Sequence, residues 1–228
     1  MAKKIVDVFR NKKIRVPFFV PDISKSDKLA VMNALNSRML TDGPQLRKFE
    51  REFAKYTGSK YAVGVSNGTA ALHLALKALG LKKGDEVIIP NITFVATANS
   101  VLLTGATPVL VDVNYDDMNI SLDSIKQNIT SKTKAILPVH IAGKICKMTQ
   151  IKKIAKKNNL LLIEDCAHAI GTKLNNKHAG TFSDVGCFSF YPTKNFTTIE
   201  GGMIITDSKR IAEYVTSARS HGLTRSLT

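Results

Sequence analysis

The sequence is poor in the residues that would staple or anchor a chain. Its three cysteines, Cys146, Cys166 and Cys187, lie well apart and form no C-x-x-C pair. That pattern argues against a disulfide framework and favours a reducing cytosol. Nowhere do 18 uncharged apolar residues run together. Lys3 and Lys4 precede only short apolar pieces broken by Asp7, Arg10 and the Asn11-Lys12-Lys13 run. Neither a membrane span nor a signal peptide is expected. Acidic residues are also scarce, 18 against 33 basic ones, which leaves a formal charge of +15 and invites a nucleic-acid reading. The lysines, however, are scattered in pairs such as Lys82-Lys83, Lys152-Lys153 and Lys156-Lys157. No aromatic interleaving and no winged, zinc or helix-turn-helix pattern accompanies them, so they read as solvated helix surface and no nucleic-acid partner is expected.

What is present fits a layered fold. The 228 residues suffice for a large domain with a lobe beside it, and a hydrophobic content of 44% excludes disorder as the main state. Residues 1–25 read as an irregular arm limited by Pro17 and Pro21. From Asp27 the positions Leu29, Ala30, Met32, Ala34 and Leu35 fit an amphipathic helix, and a second spans roughly 44–56, opened by Pro44 after the turn Thr41-Asp42-Gly43. Short apolar segments at 61–65, 86–90, 107–113, 133–138, 160–164, 185–189 and 203–206 are candidate strands. Helix-like stretches at 70–78, 121–129 and 149–158 separate several of them. Continuous apolar runs alternating with helices imply an α/β fold: a mainly parallel seven-stranded sheet with helices on both faces. Ligands of such sheets sit beyond the carboxyl ends of the strands.

Polar singletons gather at those ends. Ser66-Asn67-Gly68-Thr69 runs from a strand into a helix, where free N–H groups, a close-approach glycine and a hydroxyl suit a phosphate. Ordinary N-capping by Ser66 or Asn67 explains the motif equally well. It is neither a G-x-G-x-x-G nor a Walker loop. Asp165 ends an apolar strand, where a carboxylate needs a cationic partner such as a protonated pyridine nitrogen, or else caps the following turn. His168 lies three residues on, as a ligand contact or a structural histidine. Lys194 lies between two apolar strands, as a nucleophilic amine able to form a Schiff base or as a loop charge. Phe94 follows Asn91-Ile92-Thr93 and either stacks on an aromatic cofactor or packs in the core. Glu200, in Thr198-Ile199-Glu200-Gly201-Gly202, reads as structural, its glycines serving geometry. His140 and His178 belong to no H-E-x-x-H or Cys/His cluster, so no metal is expected.

Four motifs taken in order carry a resemblance. Ser66-Asn67-Gly68-Thr69-Ala70-Ala71-Leu72, Asp85–Pro90 continuing to Thr93-Phe94-Val95-Ala96-Thr97, Glu164-Asp165-Cys166-Ala167-His168-Ala169-Ile170-Gly171, and Phe188-Ser189-Phe190 continuing to Lys194 resemble the DegT/DnrJ/EryC1/StrS aminotransferases. The resemblance implies the type I fold of pyridoxal-phosphate-dependent transferases and an enzyme that aminates nucleotide-linked keto-sugars, with glutamate as amino donor, as a homodimer. By that likeness Lys194 forms the internal aldimine and shuttles the proton, and Asp165 pairs with the pyridine nitrogen. His168 bonds near the phenolic oxygen, where the family more often has Gln. Thr69, the Gly68 backbone and Ser189 hold the phosphate of pyridoxal 5′-phosphate, and Phe94 stacks on its ring. A dehydratase branch of the family carries histidine in place of the aldimine lysine, and Lys194 argues against that branch.

Two departures accompany the likeness. Ile141-Ala142-Gly143 stands where an aromatic usually precedes glycine. The family also carries a smaller carboxyl-terminal domain that is expected to be absent here, which divides the chain into an arm (1–25), a large cofactor-binding domain (26–215) and the truncated start of a linker (216–228). Apolar surface is expected where that smaller domain would pack, and a truncated noncatalytic cofactor-binding or protein-interaction relative is the alternative reading.

Overall fold

The computed structural model describes Pro17 and residues 19–223. Most of the arm expected over 1–25, and the last five residues, lie outside the described residues. The fold is a single α/β unit built on a seven-stranded sheet. Its strands are β1 (Tyr61–Val65), β2 (Glu86–Pro90), β3 (Thr107–Val111), β4 (Thr133–Ile136), β5 (Leu161–Asp165), β8 (Val185–Ser189) and β9 (Gly202–Thr206). A small hairpin pairs β6 (Lys173–Leu174) with β7 (Lys177–His178). Asn175 and Asn176, at φ 50 and 62°, form its two-residue turn, which asparagine tolerates in the left-handed region. The large sheet runs in the order β1-β9-β8-β5-β4-β2-β3. β9 is antiparallel to both its neighbours, β1 and β8, and the remaining pairs are parallel.

The parallel part follows from its sequence. In β2 the side chains of Val87, Ile88 and Ile89 are all fully buried, Val87 and Ile89 on one face and Ile88 on the other. Such a strand needs apolar cover on both sides. One face packs against α3 (Gly68–Ala78), α4 (Val95–Leu102) and α7 (Lys209–Ala218), through Leu72, Leu76, Val101, Ile211 and Val215. The other is covered by α5 (Leu122–Gln127) and α6 (Met148–Lys157), through Ile125, Met148 and Ile151. An aromatic cluster completes that face under α2 (Pro44–Thr57). There Phe53 meets Phe188 and Phe190 edge-on, with ring centroids 5.1 and 5.7 Å apart.

Three helices, α1 (Lys25–Leu35), α4 and α7, behave differently from expectation. α1 forms, helped by a capping box between Ser24 and Asp27, yet none of its residues is buried. Its apolar positions Leu29, Met32 and Leu35 stay exposed because no other element of the described chain packs on them. α4 and α7 were not expected as helices, and the boundary drawn at 215 falls inside α7. The Arg219 guanidinium just beyond its end bonds the Gly64 carbonyl at 2.9 Å and Asp42 at 2.8 Å, and also pairs with Glu50. Residues 216–219 are therefore built into the domain that includes β1 and α2. The lysine pairs at 82–83, 152–153 and 156–157 are all exposed, and among the described residues no helix is long and apolar enough to cross a membrane.

Candidate active site

The carboxyl ends of the parallel strands open onto a cavity of about 500 Å³. Gly68, Thr69, Phe94, Asp165, His168, Ser189 and Lys194 all line it. Residues up to 126 positions apart are thus brought to one rim by the strand–loop–helix order of the fold.

At one end, Asn67 caps α3: its side-chain oxygen accepts the Ala70 N–H at 2.8 Å. The capping reading therefore holds, and it leaves room for the other. Among the described residues no protein acceptor meets the N–H groups of Gly68 and Thr69 at the helix start. Thr69 and Ser189 also line the cavity, and the Ser189 Oγ lies 3.2 Å from where a Gly68 Cβ would stand, so two further hydroxyl donors accompany the free N–H groups. Gly68 is required for a reason internal to the protein. A Cβ there would stand 2.8 Å from the Ser189 Cβ. Behind it, a Cβ on Gly202 would meet the Asn67 carbonyl oxygen at 2.4 Å. The helix start is thus seated between the end of β8 and the first residue of β9.

In the middle lies Asp165, the last residue of β5 and buried. Its Oδ1 accepts the Ala167 N–H at 3.1 Å, the turn-capping role left open by the sequence. Its Oδ2 accepts the Thr97 hydroxyl at 3.0 Å. Both donors are neutral, and among the described residues no Lys, Arg or His side chain forms an ion pair with it. Burial pushes its carboxyl up, while the two hydrogen bonds and the nearby His168 and His140 pull it down. The cavity thus contains a buried acid with no cation in ion-pair contact among the described residues.

Lys194 and His168 occupy the other side. Lys194 sits on the turn after β8, half-buried. Desolvation lowers its amine from the usual lysine range, and Asp165 opposes the shift. His168 is lowered as well, first by desolvation and then by Lys194. The acid, the amine and the imidazole therefore feel one another's charge. Phe94 precedes α4 and is 73% exposed, which rules out core packing for its ring. Ile141, from the segment that departs from the family pattern, also lines the cavity.

Two supporting residues escaped the sequence reading. One is Thr97. The other is Glu164, whose carboxylate faces away from the cavity and is fully buried. It accepts His140 Nε2 at 2.8 Å, the Gly180 and Phe182 N–H groups at 2.9 and 2.8 Å, and the Ser183 hydroxyl at 2.7 Å. His140 Nδ1 accepts the Cys146 N–H at 3.3 Å, so Nε2 carries the ring hydrogen. Glu164 and His140, with Cys166, come close enough to suggest a metal. Their lone pairs are already committed to protein donors, and burial pushes the Cys166 thiol well up. His178 is equally occupied, bonding the Ala179 carbonyl and the Gly171 N–H. Glu200 stays exposed at the cavity rim, next to Ile199 at φ 72°.

Comparison with known proteins gives the arrangement a family. The sequence pattern of the DegT/DnrJ/EryC1/StrS aminotransferase family matches residues 21–228. The chain belongs to that family. It is 44% identical over 209 residues to the GDP-perosamine synthase of Escherichia coli O157:H7, covering 91% of this chain and 57% of that protein. A solved aminotransferase from Psychrobacter cryohalolentis superposes with a TM-score of 0.87 at 40% identity, over 90% of this chain and 53% of that one. The dehydratase ColD, solved with bound GDP-perosamine, superposes with a TM-score of 0.89 at 36% identity, over 94% of this chain and 57% of that one. The chain spans about half the length of the curated relatives it matches. The fold is that of the pyridoxal-phosphate-dependent transferases, and pyridoxal 5′-phosphate is the family's cofactor.

The residues present fit this cofactor chemically. The N–H and hydroxyl donors around the α3 start suit a phosphate, the Asp165 carboxylate with no ion-pair partner suits a protonated ring nitrogen, and the half-buried Lys194 amine suits an aldehyde carbon.

Proposed function

We propose that the chain forms the cofactor-binding part of an aminotransferase that moves an amino group from glutamate to a nucleotide-linked keto-sugar. The observation that carries the reading is the presence, in one cavity, of a buried carboxylate with no ion-pair partner and a half-buried amine. The glutamate donor, the homodimeric assembly and the sugar substrate come from the family resemblance. Three free, buried thiols support a reducing compartment.

The cofactor, when bound, supplies an electron sink that weakens the bond between the donor's α-carbon and its proton. The chain's own residues do the rest. The Gly68 and Thr69 N–H groups and the Thr69 and Ser189 hydroxyls bind the phosphate. Asp165 keeps the ring nitrogen protonated, since its charge is balanced only when a cation faces it. Phe94, which lines the cavity, would cover the ring and shield it from water. His168 donates toward the phenolic oxygen. Lys194 would hold the aldehyde carbon, and its amine would take and return the donor's α-proton; an amine lowered by burial gives and takes a proton more readily near neutral pH.

Lys194 supports transamination over the dehydration chemistry of ColD-like relatives, because a primary amine both anchors the cofactor and transfers the proton. The test is transfer of nitrogen from ¹⁵N-glutamate to a panel of nucleotide-linked keto-sugars in the presence of pyridoxal phosphate. Labelled amino-sugar, absent with Lys194→Ala, supports the reading. Loss of a sugar hydroxyl without nitrogen transfer contradicts it.

A further inference from the structure

Thr97 bonds differently from Thr57 and Thr216, two threonines in later turns of other helices. Thr57 donates its hydroxyl hydrogen to the Phe53 carbonyl of its own helix at 2.9 Å, and Thr216 donates to the Ala212 carbonyl at 2.8 Å. This back-bonding is the local option open to any helical threonine. Thr97 lies in the first turn of α4 and is fully buried. Its hydroxyl instead reaches Asp165 Oδ2, 68 positions away in sequence, at 3.0 Å.

A second hydroxyl stands behind it. Thr93 Oγ1 lies 2.7 Å from Thr97 Oγ1, and either could be the donor on distance alone. The chemistry fixes the direction. When Asp165 is ionised, the form that faces a cation, it only accepts, so the single Thr97 hydrogen points to Asp165, and the Thr97 oxygen accepts from Thr93. Each donor polarises the next, which strengthens the bond that ends on the charge. Thr93 immediately precedes Phe94, so the relay also anchors the loop that carries the ring-facing aromatic.

We propose that Thr93 and Thr97 are positioning residues, a directed two-hydroxyl relay that aims the Asp165 carboxylate at the nitrogen end of the cofactor and ties the Phe94 loop to it. The inference rests on the function proposed above. Neither hydroxyl carries out a chemical step; both act through Asp165. The other titratable groups around Asp165 are Lys194 and His168 at the rim, His140 and Glu164 behind, and the Cys166 and Cys187 thiols beside it. The relay can be altered while all six are left in place.

The experiment compares Thr97→Val, Thr97→Ser and Thr93→Val with the unaltered chain by two readouts. The first is the titration of the Asp165 carboxyl carbon, followed by ¹³C NMR without cofactor. Thr97→Val is expected to move it to higher pH, and Thr97→Ser to return it, because only the hydroxyl differs between them in hydrogen bonding. The second is the dissociation constant of pyridoxal phosphate. It is expected to rise about tenfold in Thr97→Val, as for loss of a hydrogen bond to a charged group, to rise less in Thr93→Val, and to recover in Thr97→Ser. An Asp165 titration unmoved by Thr97→Val overturns the relay, as does a serine variant that behaves like the valine one. If the unaltered chain binds no pyridoxal phosphate, the proposed function fails, and the carboxyl titration still decides the relay.

Discussion

Glu164 and Asp165 are neighbours in sequence whose carboxylates serve opposite faces of β5. The Asp165 side chain lies in the cavity with Lys194, whereas Glu164 binds His140 and the 180–183 segment on the far side. The backbone of Asp165 is fixed between them, its N–H on the Pro138 carbonyl at 2.9 Å and its carbonyl accepting the His140 N–H at 3.1 Å. The period of two along a strand thus separates the residue proposed to meet the cofactor from the one that fixes the strand end.

Removing Glu164 tests that division. Glu164→Ala leaves the buried His140 Nε2 and Gly180 N–H and the partly buried Phe182 N–H without their acceptor, while the Ser183 hydroxyl keeps the Val185 carbonyl, and the expected loss is about 3–5 kcal/mol, as for one partner removed from a buried polar network. Urea denaturation measures it. A loss below about 1 kcal/mol would show that the 180–183 segment holds its place unaided.

Asp165 carries the opposite expectation for stability. Its carboxyl is raised by burial, so the native state binds its proton more tightly than the unfolded chain does. This contribution to stability is fully present below the unfolded carboxylate range and is lost as pH rises through the raised native value. Asp165→Asn therefore makes the cofactor-free chain more stable at neutral pH and removes this loss, while weakening cofactor binding. Thermal melts across pH, with and without pyridoxal phosphate, measure both effects.

Crowding at the α3 start makes two glycines unequal. A methyl on Gly68 meets the Ser189 Cβ at 2.8 Å, an atom carried by the end of β8 that a rotamer change does not move, so the strand end must give way at a cost of about 1–3 kcal/mol. A methyl on Gly202 meets the Asn67 backbone at 2.4 Å, which cannot shift without moving the helix start. Gly202→Ala is expected to lower the melting temperature more than Gly68→Ala does, and both to weaken phosphate-dependent binding of the cofactor. Equal melting temperatures for the two variants would contradict this ranking.

Arg219 supplies a test of where the domain ends. Its guanidinium, nine-tenths buried, joins Asp42 and Glu50 to the Gly64 carbonyl. Arg219→Met removes the cation that faces Asp42 and Glu50, while Glu50 keeps the Gly64 N–H, with an expected loss of about 2–3 kcal/mol, as for hydrogen bonds to charged groups. Denaturation with no change from the unaltered chain would return residue 219 to the linker.

Much of this architecture was legible in the sequence. Runs such as Val87-Ile88-Ile89 announce strands buried on both faces, and the seven candidate residues converge because each belongs to or follows a strand end. The antiparallel insertion of β9 between β1 and β8 was not legible, since neighbour order depends on packing across the whole sheet. α4 was hidden as well: Ala96, Thr97, Ala98, Asn99 and Ser100 are small and polar or weakly apolar, which blurs the helical period even though Thr97 and Ser100 are fully buried. α1 shows the converse, a helical pattern whose apolar residues remain exposed. Glu164 and Thr97 carried no signal of their own, because a carboxylate at a strand end and a threonine in a helix gain their partners only through residues far away in the chain.

The central claim is that Lys194 holds the aldehyde carbon of a cofactor whose ring nitrogen faces Asp165. Borohydride reduction of the chain mixed with pyridoxal phosphate, followed by peptide mapping, tests it most directly. The account predicts one stably modified residue, Lys194, in the unaltered chain, with modification there strongly reduced in Asp165→Ala and absent in Lys194→Ala. Modification spread over the surface lysines, unchanged by either substitution, would contradict it.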